Sequence, residues 1–164
     1  MKVLSTCPKS VARWDFVGPA EPVILSGRVY VFTDGSSLGG YGAVMVVRPG
    51  AVGVEASSWT LPTATRNVGA ELNGAILGLG LPIAGAAVTL VFDYMGVGAW
   101  LTGSWKIKNP EVANKVKEMQ RIIHEKKLHV SYIHHRGHGT GSDDFTKFNA
   151  VADRLAGEAN ERKK

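Results

Sequence analysis

The order of hydrophobic periods along this chain predicts an α/β fold: a mixed five-stranded sheet, three antiparallel strands followed by parallel ones, flanked by helices. Three observations predict it. Three stretches rich in β-branched and aromatic residues follow one another with only short turns between them, the pattern of a meander. A segment with apolar residues at helical spacing then interrupts the series. Beyond it lies a near-continuous apolar run, Ala87-Val-Thr-Leu-Val-Phe92, as expected of a strand covered on both faces.

Taken in order, residues 1–26 carry Pro8, Gly18, Pro19 and Pro22 and show no period of two, so they read as an extended arm that packs through Trp14 and Phe16. Arg28 to Asp34 reads as the first strand and Gly35 to Gly40 as a turn. Tyr41 to Val47 is the second strand, closed by Pro49-Gly50, and Val52 to Leu61 the third. Leu72, Ala75, Ile76 and Leu79 share one helical face, and Pro82 and Gly85 end that helix. After the buried strand, a short helix is expected over Val97 to Leu101. Asn109-Pro110 marks the next helix start, asparagine as cap and proline at the first position, with Val112, Val116, Met119 and Ile123 as its apolar stripe. Leu128 to His134 is the last strand. A glycine-rich loop, Gly137 to Ser142, then leads to a helix with Phe148, Val151, Leu155 and Ala159 on one face. The expected division is an arm over 1–26 and one compact domain over 27–164.

At 164 residues the chain is long enough to bury a core, and no apolar run approaches the roughly 20 residues that cross a bilayer. Met1 to Leu4 lacks the apolar stretch of a secretory leader. Cys7 is the only cysteine, which excludes an intrachain disulfide and a cysteine-rich zinc site and favours a reducing, cytoplasmic setting. The net charge of +5 is compatible with a polyanionic partner, since phosphate contacts release counterions.

Four acids stand where a fold has to justify them. Asp34 ends the first strand, Asp93 ends the buried strand, Glu71 precedes the apolar face of the first helix, and Asp153 lies within the apolar stretch of the last. Carboxylates beside apolar surface are costly unless paired or bound to metal. An all-oxygen ligand set points to magnesium or manganese. Each acid also has an ordinary explanation: turn chemistry for Asp34-Gly35, a first-turn helix acid for Glu71, a cap for Asp93, and a surface pair with Arg154 for Asp153. Taken singly, each ordinary explanation is the stronger one; the case depends on the four together.

The segments Phe32-Thr-Asp-Gly-Ser36 with Gly40-Tyr-Gly-Ala43, Asn67-x-x-Ala70-Glu71-Leu72, Val91-Phe-Asp93, Gly137-His138-Gly139 and Asn149-Ala-Val-Ala-Asp153-Arg-Leu-Ala156 resemble those of the ribonuclease H family. The stretch from Asp93 through Trp100, Trp105, Lys106 and Lys108 is similar to that of some bacterial members. The resemblance covers roughly residues 27 to 160. It implies a ribonuclease H-like fold and a metal-dependent endonuclease that hydrolyses the RNA strand of RNA–DNA hybrids, leaving 5′-phosphate and 3′-hydroxyl ends. Two Mg²⁺ ions (or Mn²⁺) would bridge Asp34, Glu71, Asp93, Asp153 and the scissile phosphate while water attacks in line. His138 would be the auxiliary histidine, shuttling a proton from a flexible loop.

The same resemblance assigns substrate contact to Gly35, Ser36, Asn67, Trp100, Trp105, Lys106, Lys108 and Asn149. Ser36 and the turn amides would meet the RNA strand and its 2′-hydroxyls; a tryptophan would lie against a deoxyribose, with lysines on the DNA phosphates. Lysines 106, 108, 115, 117, 126 and 127 and Arg121 concentrate between the third and fourth acids, and a solvated helix face explains them about equally well. One of His134 and His135 is expected to be packed and hydrogen-bonded, and Asp143 and Asp144 to be loop acids. The departures from the family are Val68-Gly69, the shortened turn after Asp34, and the long spacing from His138 to Asp153; they bear on substrate grip. A resolvase or integrase on the same fold, a hybrid-binding module without catalysis, and a domain detached from a reverse transcriptase are the competing readings. No membrane and no obligate protein partner are expected, and a monomer suffices for the chemistry.

Overall fold

The computed structural model describes residues 28–47, 50–57, 66–135 and 144–163. Its elements are β1 (Val29–Gly35), β2 (Gly40–Val47), β3 (Gly50–Ser57), α1 (Arg66–Leu79), β4 (Ala87–Phe92), α2 (Met95–Leu101), α3 (Pro110–Glu125), β5 (His129–His134) and α4 (Asp144–Lys163). The arm, the 58–61 end of the expected third strand and the Gly137–Ser142 loop lie outside the described residues.

The strands form one five-stranded sheet in the order β3-β2-β1-β4-β5. The first three pair antiparallel, while β1 with β4 and β4 with β5 pair parallel, as the order of elements predicts. Successive side chains on a strand point to opposite faces, and both faces here are covered. Val31, Leu90 and Phe92 pack with α1, α2 and α3 on one side, joining Leu72, Val116 and Met119. Tyr30, Phe32, Val44 and Val91 pack on the other side against Phe145 and Ala152 of α4.

Local signals account for most boundaries. Asn109 caps α3, its Oδ1 accepting from the backbone N–H groups of Glu111 (2.8 Å) and Val112 (3.3 Å), with Pro110 opening the helix. Val112, Val116, Met119 and Ile123 are all buried, as their spacing predicts. The short helix begins two residues earlier than expected, at Met95, and takes in Gly96 and Gly98. On α4 the deepest residues are Phe145, Ala152, Ala156 and Ala159, with Phe148, Val151 and Leu155 partly buried beside them. Asp144, expected in a loop, opens this helix.

One packing detail positions the site. A Cβ on Gly35 would collide with the α1 backbone at Ala70, and one on Gly74 would lie 2.7 Å from the Asp34 carbonyl oxygen. A Cβ on Gly78, one turn further, would meet the Val31 and Thr33 side chains at 2.6 and 2.8 Å. Glycine at these crossing points lets α1 lie against β1 at backbone distance. We expect Gly74→Ala to lower stability by about 1–3 kcal/mol, because the helix must move off the strand. Gly157→Ala, on an exposed stretch of α4 where a Cβ meets nothing within 4 Å, should raise it by roughly 0.5–1 kcal/mol. Urea melts of the two variants check the contrast; equal effects would contradict the close approach.

Candidate active site

The parallel register sets Thr33 opposite Phe92, so Asp34 and Asp93, each the next residue along, stand side by side at the carboxyl ends of two central strands. Crossings of this kind, where connections diverge at strand ends, are where open α/β sheets form their sites. The close approach of α1 brings in Glu71, the residue after Ala70, whose backbone rests on Gly35. Asp153 arrives from the opposite layer on α4, exposed, and shares a hydrogen bond with Asp34. Four residues distant in sequence are thus drawn to one end of the sheet.

Their electrostatics follow from that crowding. Burial pushes the Asp34 carboxyl up to about 7, helped by the hydrogen bond to Asp153 and by the charges of Asp153 and Asp93. Burial pushes Glu71 up to about 9, with the charges of Asp34 and Asp93 and a hydrogen bond to Asp34 adding to it. The Gly35 backbone N–H lies on both carboxyls and opposes both shifts. One carboxyl oxygen of Glu71 is buried with no hydrogen-bond partner among the described residues. The acids meet pairwise: among the described residues, no three His, Cys, Asp or Glu side chains converge as a metal-holding group.

The ordinary explanations fare unevenly. Glu71 is in the second turn of α1, whose first turn holds no acid, so helix-dipole stabilisation does not account for it. Arg154 reaches Glu158 at 3.8 Å. Asp34 does bond its neighbouring Gly35 amide, yet it also meets two other carboxylates. His134 behaves as the packed histidine: it stacks on Phe92 and its Nε2 lies 2.7 Å from the Asp93 carbonyl oxygen. His138 and Asp143 lie outside the described residues, and Asn67 is placed in α1 by its backbone alone.

Beside the acids runs an open groove of about 510 Å³ lined by Trp100, Ser104, Trp105, Lys106, Lys108, Asn109 and Val112. Trp100 and Trp105 meet edge to face, ring centres 5.6 Å apart, and Trp105 is 40% exposed. Tyr94 joins this pair at 5.9 Å from Trp100 and 6.4 Å from Trp105. Burial and then the charge of Glu71 raise its hydroxyl above the usual tyrosine value, which places Tyr94 between the acids and the groove. Its position directly after Asp93 is the sequence signal for it. Among the other basic residues, Lys115 donates to Asn73 at 2.8 Å, Arg121 bonds Glu118 and Glu125 on its own helix, and Lys126 donates to the Gly80 carbonyl. Asn149, assigned to substrate contact, is only 5% exposed, and its amide nitrogen is buried without a partner among the described residues.

A sequence profile of the RNase H family matches residues 26–161, and the chain belongs to that family. It is a ribonuclease by that membership. The fold is similar to that of RNase H1 from the halophilic archaeon Halobacterium salinarum, at 22% identity, with a TM-score of 0.63 over 83% of this chain and 99% of that one. It is similar to the N-terminal RNase H domain of a Mycobacterium tuberculosis protein, also at 22% identity and TM-score 0.63, over 80% and 98%. LC11-RNase H1, whose structure was solved in complex with an RNA/DNA hybrid, matches at 18% identity and TM-score 0.58, over 83% and 99%. No curated protein sequence matches the chain.

The shared protons make a prediction. Unfolded, the two carboxyls titrate near ~4. Folded, they hold protons to higher pH, so the folded state binds more protons than the unfolded one across this window. Stability therefore falls as pH rises, through about 7 for Asp34 and on toward about 9 for Glu71. In EDTA, thermal midpoints should decline from pH 5 to pH 9, and Asp34→Asn, which removes one titrating group and one charge beside Glu71, should flatten the decline. A midpoint that climbs over this range would contradict the arrangement.

Proposed function

We propose that this chain is an endonuclease that uses divalent cations to hydrolyse the RNA strand of RNA–DNA hybrids, leaving 5′-phosphate and 3′-hydroxyl ends. The observation that carries this reading is the pairwise approach of Asp34 to Glu71 and to Asp153, with Asp93 beside Asp34 at the next strand end, where burial and neighbouring charges raise the carboxyls of Asp34 and Glu71. Family membership supports the chemistry, and the hybrid bound by LC11-RNase H1 supports the substrate class.

The residues fit a divalent cation. All donors are carboxylate oxygens, the hard set that suits Mg²⁺ or Mn²⁺. A buried Glu71 oxygen without a partner among the described residues, and carboxyls crowded against one another, offer oxygen donors that a divalent cation would satisfy. Asp34, Glu71, Asp93 and Asp153 would hold the ions, two of them with substrate in place. Bound there, the cations supply charge neutralisation at the scissile phosphate and lower the pKa of the attacking water. Asp34 is the shared member, in contact with both Glu71 and Asp153, and would bind a cation as the carboxylate. His138 is assigned to proton transfer at the leaving oxygen.

For the hybrid itself, the groove beside the acids offers Trp105 as an exposed apolar face and Lys106 and Lys108 as phosphate partners. Gly35 and Asn67 stand on the elements that bear Asp34 and Glu71, and Ser36 follows β1 directly, where the RNA strand would pass.

A labelled hybrid, tested with Mg²⁺, Mn²⁺ or EDTA beside RNA and DNA duplexes, is the direct assay. RNA cleavage confined to the hybrid and dependent on cation, lost more than about a hundredfold in Asp34→Asn, is expected. Binding without cleavage would assign the chain to a binding role, and cleavage of DNA duplexes would place it elsewhere on this fold. Replacing Lys106 and Lys108 by alanine should weaken binding and reduce the slope of log affinity against log salt by roughly 0.9 for each phosphate no longer neutralised. An unchanged slope would remove the groove from the substrate path.

A further inference from the structure

The turn between β1 and β2 is tied to α4 by one carboxamide. The Oδ1 of Asn160 accepts from the Gly40 backbone N–H at 2.7 Å, and its Nδ2 donates to the Ser36 hydroxyl oxygen at 2.7 Å. A backbone N–H only donates, so the amide orientation is dictated and its nitrogen must face Ser36. The Leu38 backbone N–H donates to the same hydroxyl oxygen at 3.1 Å. A hydroxyl has two acceptor sites and one proton. Here two N–H donors occupy both acceptor sites, so the proton of Ser36, with no acceptor among the described residues, remains for a third partner. Ser36 is half-buried and stands two residues beyond Asp34.

We propose that Asn160 is a positioning residue for substrate choice, holding the Ser36 hydroxyl as a donor to an acceptor oxygen of the ribose strand, in keeping with the hybrid-nuclease reading on which this rests. Two features argue for orientation over simple turn-closing. The turn is already closed by its own backbone, Ser36 N–H to the Gly40 carbonyl at 2.7 Å and Gly39 N–H to the Ser36 carbonyl at 3.0 Å. Gly40 also leaves room for the amide, since a Cβ there would lie 2.5 Å from Asn160 Oδ1. A ribose 2′-oxygen gives such a donor an acceptor that deoxyribose lacks.

Asn160→Asp tests this. Its carboxylate still accepts from Gly40 but no longer donates, so the Ser36 proton turns inward onto it. Steady-state kinetics would compare wild type, Asn160→Asp, Ser36→Ala and the double variant on an all-ribose hybrid and on hybrids with single deoxyribose replacements. Asn160→Asp should raise KM roughly tenfold with kcat held within about twofold, the scale of one hydrogen bond. The double variant should be no worse than Ser36→Ala alone. A single deoxyribose position that costs the wild type about tenfold should cost Asn160→Asp nothing. Should Asn160→Asp fail to fold in a thermal melt, Ser36→Ala carries the test by losing sensitivity at one ribose position. An unchanged KM in Asn160→Asp, a fall in kcat alone, or losses that add to those of Ser36→Ala would overturn the proposal while leaving the nuclease reading intact. A wild type that cleaves no hybrid would sink both.

Discussion

The fold depends on the close approach of a helix to a strand. Gly35 on β1 and Gly74 on α1 permit backbone-distance contact, Gly78 makes room for the Val31 and Thr33 side chains, and this brings Glu71 onto Asp34. Methyl groups at these crossings would hold the helix further off, and the two carboxyls could then solvate separately. The same contact that completes one face of the core, through Leu72, Ala75 and Leu79, therefore forces two acids into a proton-sharing pair. Packing and site chemistry here are one constraint.

That constraint explains why the site is costly to ionise. Like charges close together and away from water are hard to carry, so the Asp34 and Glu71 carboxyls hold protons to higher pH than usual. The cost is tolerable because the rest of the sheet is buried on both faces. Tyr30, Phe32 and Val91 against α4, and Val31, Leu90 and Phe92 against α1 and α3, hold the central strands whatever the carboxyls do. A divalent cation held by these acids, as proposed, would offset their repulsion and stabilise the folded chain. Sites commonly carry local destabilisation offset elsewhere in the structure.

Much of this is legible in the sequence because it is local. The meander, the double-buried β4 and the Asn109-Pro110 start of α3 each follow from a few adjacent residues, and all appear. The start of α2 escapes such a reading because Gly96 looks like a breaker, yet a Cβ there would meet the Tyr94 ring. The deep face of α4 escapes it for a related reason. Side-chain size favours Phe148 and Leu155, but Gly40 and Gly42 on β2 draw the helix so close that alanines face the strand. The four acids are individually unremarkable and become a site only as a set. The raised carboxyls of Asp34 and Glu71, and the contact of Tyr94 with Trp100 and Trp105, depend on burial and packing that no spacing reports.

The Asn160 clamp lies furthest from the reach of sequence, and the reason is physical. Its partners Ser36 and Gly40 are 124 and 120 residues away, and a carboxamide near the end of a charged helix has no periodicity to mark it. What marks it is bond-by-bond accounting: one donor-only amide fixes the orientation of the asparagine, and that orientation fixes the serine. Asp153 and Asn160 lie on one helix two turns apart, the first touching Asp34 and the second touching the turn that follows Asp34. A shift of α4 along the sheet would thus move Asp153 and the Ser36 hydroxyl together, so that under the proposed roles one helix would couple catalysis to substrate choice.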